Sequence, residues 1–404
     1  MSGHDPYDLI GRLRDHLSAH DAPLSFLMGA GTSSAVNVEP VPAGGGARPY
    51  KPLIPAIVGL TDQVRMACID ADPRFEAAWE ELVAACVARK RDPNIESLLG
   101  LLRLTTAAMT PTSTAFGLGA GGLDTLETTI QVSIAKIASP AEADIPADVP
   151  HREFAEWVRN ASRGHPVEVF TTNYDVLIER SLELARIPVF DGFVGSHRPF
   201  FLPAAVGASE TAGWTRVWKI HGSVNWAAEV RGTVRRDGAP NGSMILPSHL
   251  KYDESRKMPY LALMDRLGMC VSRVSSVLVT CGYSWGDQHI NETLMSGLDA
   301  TPSSAIFALM HGAIADGDPV VKCAEKRWNL TVIGPNAGVI RGYVAEWEVA
   351  TGQGGAAAGG LRKYFTPDPP ASGSPSSTGQ VKLGDFNVFA EFLASMTTYR
   401  PGSA

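Results

Sequence analysis

The stretch Ser25-Phe26-Leu27-Met28-Gly29-Ala30-Gly31-Thr32-Ser33-Ser34 constrains this chain most. It opens as a short apolar run and breaks into Gly-Ala-Gly, followed by small hydroxyl residues. Glycines let a backbone turn sharply and come close to a ligand, and the N–H groups of a following helix point at an anion. The pattern reads as a strand that runs into a phosphate cradle built from Gly29, Ala30, Gly31, Thr32 and Ser33. The usual fingerprint has a third glycine three residues after the second, and Ser34 stands there instead. The same letters describe an ordinary strand-to-helix turn capped by Thr32 or Ser33. Later stretches decide between the two.

Apolar spacing predicts a helix over 7–20 and another over 58–68, with a Gly/Pro loop at 42–49 between the cradle and the second. The block 72–148 reads as mostly helical, with helices over 75–89, after the cap Asn94, and over 123–137. The glycines at 117–122 look like a second phosphate loop but lack a preceding strand, so they read as a flexible connection. Short apolar runs at 167–171, 217–220, 244–246, 276–280, 305–310 and 330–333 read as strands. About six buried strands alternating with helices argue for an α/β fold: a Rossmann-like, doubly wound, mostly parallel sheet with a helical insertion at about 60–150. This domain takes in residues 1–350. The Gly, Ala, Pro and Ser of 351–380 read as a flexible linker or loop. Residues 381–404 hold a last amphipathic helix, with Phe386, Phe389, Phe392, Leu393 and Met396 on one face and Asp385 as its cap. That face packs on the domain or docks on another chain.

Hydrophobic residues make up 45% of the 404 and charged residues 19%, the balance of a globular protein. A net charge of −7 gives no reason to expect autonomous nucleic-acid binding. The five cysteines are odd in number and no two share a C-x-x-C spacing, so neither a disulfide framework nor a zinc ribbon is expected, and no metal. No run reaches the roughly 18–20 apolar residues that cross a bilayer, and the first residues lack a basic, apolar leader. The expectation is a cytoplasmic protein with no membrane contact.

Three stretches at predicted strand ends carry chemistry. In a doubly wound sheet, ligands bind at that edge. Thr171-Thr172-Asn173-Tyr174-Asp175 follows one strand, where Asn173 and Asp175 serve a ligand or merely cap the next helix. Lys219-Ile220-His221-Gly222-Ser223-Val224-Asn225-Trp226 ends another in His-Gly, and histidine is the side chain best able to exchange protons near neutral pH. Thr280-Cys281-Gly282-Tyr283-Ser284-Trp285-Gly286-Asp287-Gln288-His289-Ile290-Asn291 follows a third. Its glycines, aromatics and hydroxyls suit a ribose or base, and Asp287 is either part of that or a helix cap.

Taken in order over roughly 20–340, these four motifs resemble the sirtuin-like (silent information regulator type) domain, and within it the bacterial anti-phage branch. The resemblance implies a Rossmann-type site for NAD+ as substrate. Asn173 and His221 would be the catalytic pair. Gly29, Ala30, Gly31, Thr32 and Ser33 would hold the pyrophosphate, Asp175 would border the nicotinamide ribose, and Gly282, Tyr283 and Ser284 would touch the other ribose. Sirtuin deacetylases carry two C-x-x-C zinc pairs, which this chain lacks. The usual Gly-Ile-Pro-Asp-Phe-Arg stretch is reduced to Ile54-Pro55 after a long insertion. Cleavage of NAD+ to nicotinamide and ADP-ribose therefore fits better than deacylation. The 282–291 variant resembles proteins that pair with a HerA-type hexameric ATPase and DNA translocase in phage defence. It thus implies that partner, with nucleic acid reached only indirectly.

A dehydrogenase would need an acid about 20 residues after the glycines, where this chain has only the 44–51 loop. A zinc-free deacylase or ADP-ribosyltransferase is one rival expectation, and a non-catalytic subunit that senses NAD or ADP-ribose is another. An uncontrolled NAD hydrolase would empty its own cell, so homo-oligomer assembly or partner binding is expected to hold it in check.

Overall fold

All five residues of Leu24–Met28, strand β1, are buried. A strand of this kind has no solvent face, so it needs a neighbour along each edge and a packed layer on each side. The computed structural model describes residues 3–39, 49–207, 213–229, 232–235, 258–349, 356–369 and 376–397, and it supplies both. Helix α1 (Pro6–Ser18) precedes β1 and the short α2 (Ala30–Ser34) follows it. Next come α3 (Ile57–Ala71), α4 (Arg74–Ala88), α5 (Ile95–Ala108), a hairpin of β2 (Thr114–Ala115) and β3 (Leu118–Gly119), and α6 (Ala120–Ile137). Helix α7 (Pro150–Asn160) leads to β4 (Glu168–Thr171), α8 (Leu177–Leu184) and β5 (Val189–Phe190). Then follow β6 (Phe193–Val194), β7 (Phe200–Phe201), α9 (Pro203–Gly207), β8 (Thr215–Lys219), β9 (Trp226–Glu229) and β10 (Gly232–Arg235). Helix α10 (Tyr260–Val271), β11 (Val277–Cys281), α11 (Gln288–Ala300), β12 (Ala305–Leu309), α12 (Pro319–Ala324) and β13 (Leu330–Ile333) continue the alternation. The chain closes with β14 (Ala337–Ile340), β15 (Tyr343–Glu346), β16 (Phe365–Pro367), β17 (Gly379–Val381) and α13 (Phe386–Thr397).

The main sheet has nine strands in the order β15-β14-β13-β12-β11-β1-β4-β8-β5. β1 pairs in parallel with β11 on one side and β4 on the other. The strand order therefore reverses at β1, and the carboxyl ends of β1, β4 and β11 meet at the switch point where such sheets open a crevice. Alternate residues feed two cores. Phe26, Val169, Val217 and Val279 face the layer of α1, α7 and α13. Leu27, Phe170, Trp218 and Leu278 face the layer of α10, α11 and α12. This is the doubly wound α/β arrangement with helices on both faces. The helices of 57–137 bury a separate core around Phe75, Trp79, Leu82, Leu98, Leu99 and Leu126. Among the described residues, no three His, Cys, Asp or Glu side chains gather where they could hold a metal. No described helix is long and apolar enough to cross a membrane.

The structure corrects several local expectations. The sheet is wider than six strands, because two-residue β5 and the antiparallel pair β14–β15 extend its edges. Neither edge carries a long apolar run that sequence could flag. The expected strand at 244–246 lies outside the described residues, as does most of the 42–49 loop. The glycines at 117–122 are not a flexible connection. Gly117, at φ +67°, turns the β2–β3 hairpin, and Gly121 and Gly122 lie inside α6. The segment 351–380 is not all linker. A 3-10 helix over Ala356–Tyr364 and the β16–β17 pair lie within it, and Leu361, Tyr364 and Phe365 are buried in the core. Helix α13 lies on α7, and Phe386, Phe389 and Phe392 are buried there, Phe389 within 6.3 Å of Phe26. Asp385 accepts the Asn387 N–H at 2.9 Å and caps the helix.

Candidate active site

Two turns from strands far apart in sequence interlock at the switch point. The Gly29 N–H donates to the Cys281 carbonyl at 3.0 Å, and the Gly31 N–H to the Gly282 carbonyl at 2.9 Å. A Cβ on Gly31 would stand 2.6 Å from Gly282 Cα, and one on Gly29 would stand 2.5 Å from the Gly282 oxygen. Gly282 itself adopts φ +63°, where a side chain is strained. The glycines thus answer first to each other. The reading of the turn as a ligand cradle needs a matching correction: the Gly31 amide is committed to Gly282 and the Thr32 amide to the Gly29 carbonyl at 2.9 Å. The Thr32 hydroxyl also donates to that carbonyl, and Thr32 sits buried behind the turn. Thr32 is therefore a brace of the turn, not one of its ligand-facing groups.

At the end of β4, Asn173 is held by its own side chain. Its N–H donates to Thr171 Oγ1 at 3.0 Å, and its Nδ2 donates to Thr32 Oγ1 at 3.0 Å and Ser33 Oγ at 2.7 Å. Both hydroxyls donate onward, Ser33 to Asp175 Oδ2 at 2.6 Å. That chain of donors fixes the amide orientation: nitrogen toward α2, Oδ1 on the other side. Asp175 accepts the Leu177 N–H at 3.0 Å, so it opens α8 while holding Ser33. The Lys219 ammonium donates to the Asp175 carbonyl and lies 3.1 Å from Glu179.

β8 delivers His221 to the same edge. Gly222 takes φ +87°, and the following turn is stitched to the β4 loop by Val224 N–H and Ser223 Oγ, both on the Tyr174 carbonyl at 3.0 and 3.2 Å. After β11, Tyr283 is buried, and its hydroxyl donates to Asn291 Oδ1 at 2.8 Å. Asn291 Nδ2 returns to the Trp285 carbonyl at 2.7 Å. The spacing from Tyr283 to Asn291 is thus a loop clasp that takes up the Tyr283 hydroxyl proton. Asp287 caps α11, accepting the His289 N–H at 3.0 Å, and its second oxygen lies 3.4 Å from His221 Nε2.

These elements surround a cavity of about 340 Å³. Gly29, Ala30, Gly31, Ser33, Asn173, Asp175, His221, Gly282, Tyr283 and Ser284 line it; of the residues singled out by sequence, Thr32 does not. The rest of the lining is largely apolar: Ile54 and Pro55, then Ile57, Leu60, Ile95 and Ile134 from the helical block. Sequence reasoning flagged only Ile54-Pro55 of these. It missed Glu96, which also lines the cavity, because nothing in the periodicity of α5 tells which residue faces a neighbouring domain edge. Among the described residues, the cavity wall carries three carboxylates (Glu96, Asp175 and Asp287), one histidine and no lysine or arginine. Burial pushes the Tyr283 phenol up, so it stays neutral.

A Rossmann-like α/β sheet with a largely apolar cavity at its switch point, into which a few polar side chains converge, is the class that fold and site define. Within it, residues 167–333 match the family model of the SIR2-like domain. Asn173, Asp175, His221 and Gly282–Ser284 lie inside the match, and the Gly29–Ser33 turn lies before it. A solved structure of a Sir2 homologue, a histidine-to-asparagine mutant in complex with ADP-ribose, is similar at 16% identity over 76% of this chain and 86% of its own, with a TM-score of 0.32. A search of curated proteins found no match.

Proposed function

We propose that this chain is an NAD+ glycohydrolase that cleaves NAD+ to nicotinamide and ADP-ribose. One observation carries the reading. A cavity at the switch point is lined by both Asn173 and His221, together with three carboxylates and, among the described residues, no cationic side chain. That electrostatic character suits a substrate whose nicotinamide ring is positively charged and whose ribose becomes an oxocarbenium-like cation in the transition state. The apolar wall from Ile54, Ile57 and Leu60 gives a flat ring a dry face.

In the reaction, the bond from ribose C1′ to the nicotinamide nitrogen breaks. The electron pair leaves with nicotinamide, which departs neutral. Water adds its oxygen to C1′ and gives up one proton. Asn173, its Nδ2 committed to Thr32 and Ser33, presents Oδ1 to orient that water. His221 takes the proton. A positioned proton-transfer group typically contributes about 10²- to 10⁴-fold. His221→Ala is expected to lower nicotinamide release by that factor with the melting temperature unchanged. Release is measured from the purified chain and again with any co-purifying partner. Full turnover in both His221→Ala and Asn173→Ala would sink the reading. Binding of NAD+ without release under every condition would move it to a sensing subunit, and release of deacylated peptide would move it to a deacylase.

The biological setting belongs to the same proposal: an NAD-depleting effector of anti-phage defence, assembled as a homo-oligomer with a HerA-type hexameric ATPase. The sequence of the 282–291 loop supports it. Co-expression with such an ATPase, followed by sizing of the complex, tests it.

A further inference from the structure

Both oxygens of the Asp287 carboxylate have assigned positions. Oδ1 receives the His289 and Ile290 N–H groups at 3.0 and 3.3 Å, the first turn of α11. Oδ2 lies 3.4 Å from His221 Nε2, with the two side chains only 11% (Asp287) and 12% (His221) exposed. A carboxylate pinned through one oxygen by two backbone amides cannot swing, so its other oxygen is a fixed point in the cavity wall. We infer that Asp287 is the positioning residue of the reaction, holding the His221 ring in one orientation and one tautomer through Oδ2 while Oδ1 caps α11. The inference rests on the assignment of His221 as the base.

The chemistry follows from the inventory of each group. A neutral imidazole has one N–H and one lone pair. An ionised carboxylate only accepts, so the N–H belongs on Nε2 and the lone pair on Nδ1. When the attacking water loses its proton, that proton goes to Nδ1, the oxygen bonds to C1′, and the imidazolium forms beside a negative charge that has not moved. Asp287 stays ionised throughout. The other titratable groups lining the cavity with His221 are Asp175 on the β4 loop, Glu96 on α5, and the phenols Tyr174 and Tyr283. Asp175 is turned to Ser33 and the Leu177 amide, and Glu96 lies in the first turn of α5 in the helical block. Asp287 is the carboxylate that meets the ring at ion-pair distance.

The test is Asp287→Asn, with Asp287→Ser as a second variant. Asparagine and serine both cap helices about as well as aspartate, so α11 and the fold are retained, while the negative charge is lost. The His221 imidazole is titrated by NMR in each protein, its signal identified by its loss in His221→Gln. An opposite charge at this distance favours the charged form. The expected result is a fall of about one pH unit in the His221 titration in both variants. The acid limb of kcat/KM for NAD+ cleavage moves down with it, and turnover at neutral pH falls at least about tenfold. An unchanged titration and an unchanged acid limb in Asp287→Asn would overturn the inference. The NMR readout needs no turnover. A titration that shifts in a chain that never cleaves NAD+ keeps the Asp287–His221 coupling and overturns the hydrolase reading. A chain whose cleavage depends on His221 but ignores Asp287 does the reverse.

Discussion

Strand β4 carries a buried carboxylate at its amino end and another just past its carboxyl end, and the two live differently. Glu168, 2% exposed, receives Arg266 Nε and Trp218 Nε1, each at 2.8 Å, with Arg216 at 3.5 Å. Burial pushes its carboxyl up, but the hydrogen bonds from Arg266 and Trp218 and the nearby guanidinium charges outweigh that and hold it below the usual range. Those partners are all inside the protein, and the cluster ties α10 to β4 and β8. Asp175 also has two internal donors, yet it belongs to a group of side chains (Asn173, Ser33, His221 and Asp287) that lines a cavity. A polar network closed on itself holds elements together. One that ends at a cavity wall is in place to act on something that enters.

The sharpest way to break this comparison is Glu168→Ala. It leaves two guanidiniums beside an empty position, and removing one partner of a buried ion cluster costs about 3–5 kcal/mol. Urea unfolding is expected to show that loss, whereas His221→Ala leaves the unfolding curve where it is and removes activity. A Glu168→Ala protein as stable as wild type would erase the distinction between the two ends.

A smaller effect comes from behind the carboxyl-end cluster. His151 on α7 is 1% exposed and packs edge-on at 5.0 Å against Phe386 of α13, and its Nδ1 has no hydrogen-bond partner among the described residues. Burial pushes its titration down to about 4, partly opposed by the Asp175 charge. The unfolded chain titrates near about 6.5, so between these values the unfolded state binds the extra proton. The contribution of His151 to stability is therefore complete above about pH 6.5 and declines as pH falls toward 4, by about 3 kcal/mol in all. Unfolding midpoints measured from about pH 7 down to about 4.5 should follow this slope, and His151→Leu should flatten it.

The smallest effect calibrates the others away from both ends of the sheet. Gly121 lies in α6 with nothing within 4 Å of where a Cβ would go. Gly121→Ala should raise stability by about 0.5–1 kcal/mol. A loss instead would return this stretch to the flexible connection that its glycines suggest.

Local signals were legible in the amino-acid order alone. The caps Asn94 and Asp385 and the five-residue runs of β1, β11 and β12 follow from neighbours in sequence, and the structure places them there. The choice of strand ends was legible too, since Asn173, His221 and Gly282 reach one cavity. What stayed hidden was decided between distant segments. Gly31 reads as room for a phosphate, yet its nearest constraint is Gly282. Ile95, Glu96 and Ile134 read as helix, and only the placement of that block against the sheet makes them cavity wall. Asp287 reads as a cap, and it is one; its second oxygen becomes meaningful only when β8 brings His221 alongside.

The meeting of Gly31 with Gly282 also sets an order of events for the nascent chain. Residues 24–34 emerge from the ribosome early, but the strand and turn against which they lock include residue 282. Contacts so far apart in sequence close late and slowly. A chain halted at residue 250 already has β1, β4 and His221, yet it has neither the glycine that seats Gly31 nor the carboxylate that faces the imidazole. The cavity-bearing edge of the sheet is in this sense a late product of translation: the cavity exists only once about three-quarters of the chain has been made and β11 has come home between β1 and β12.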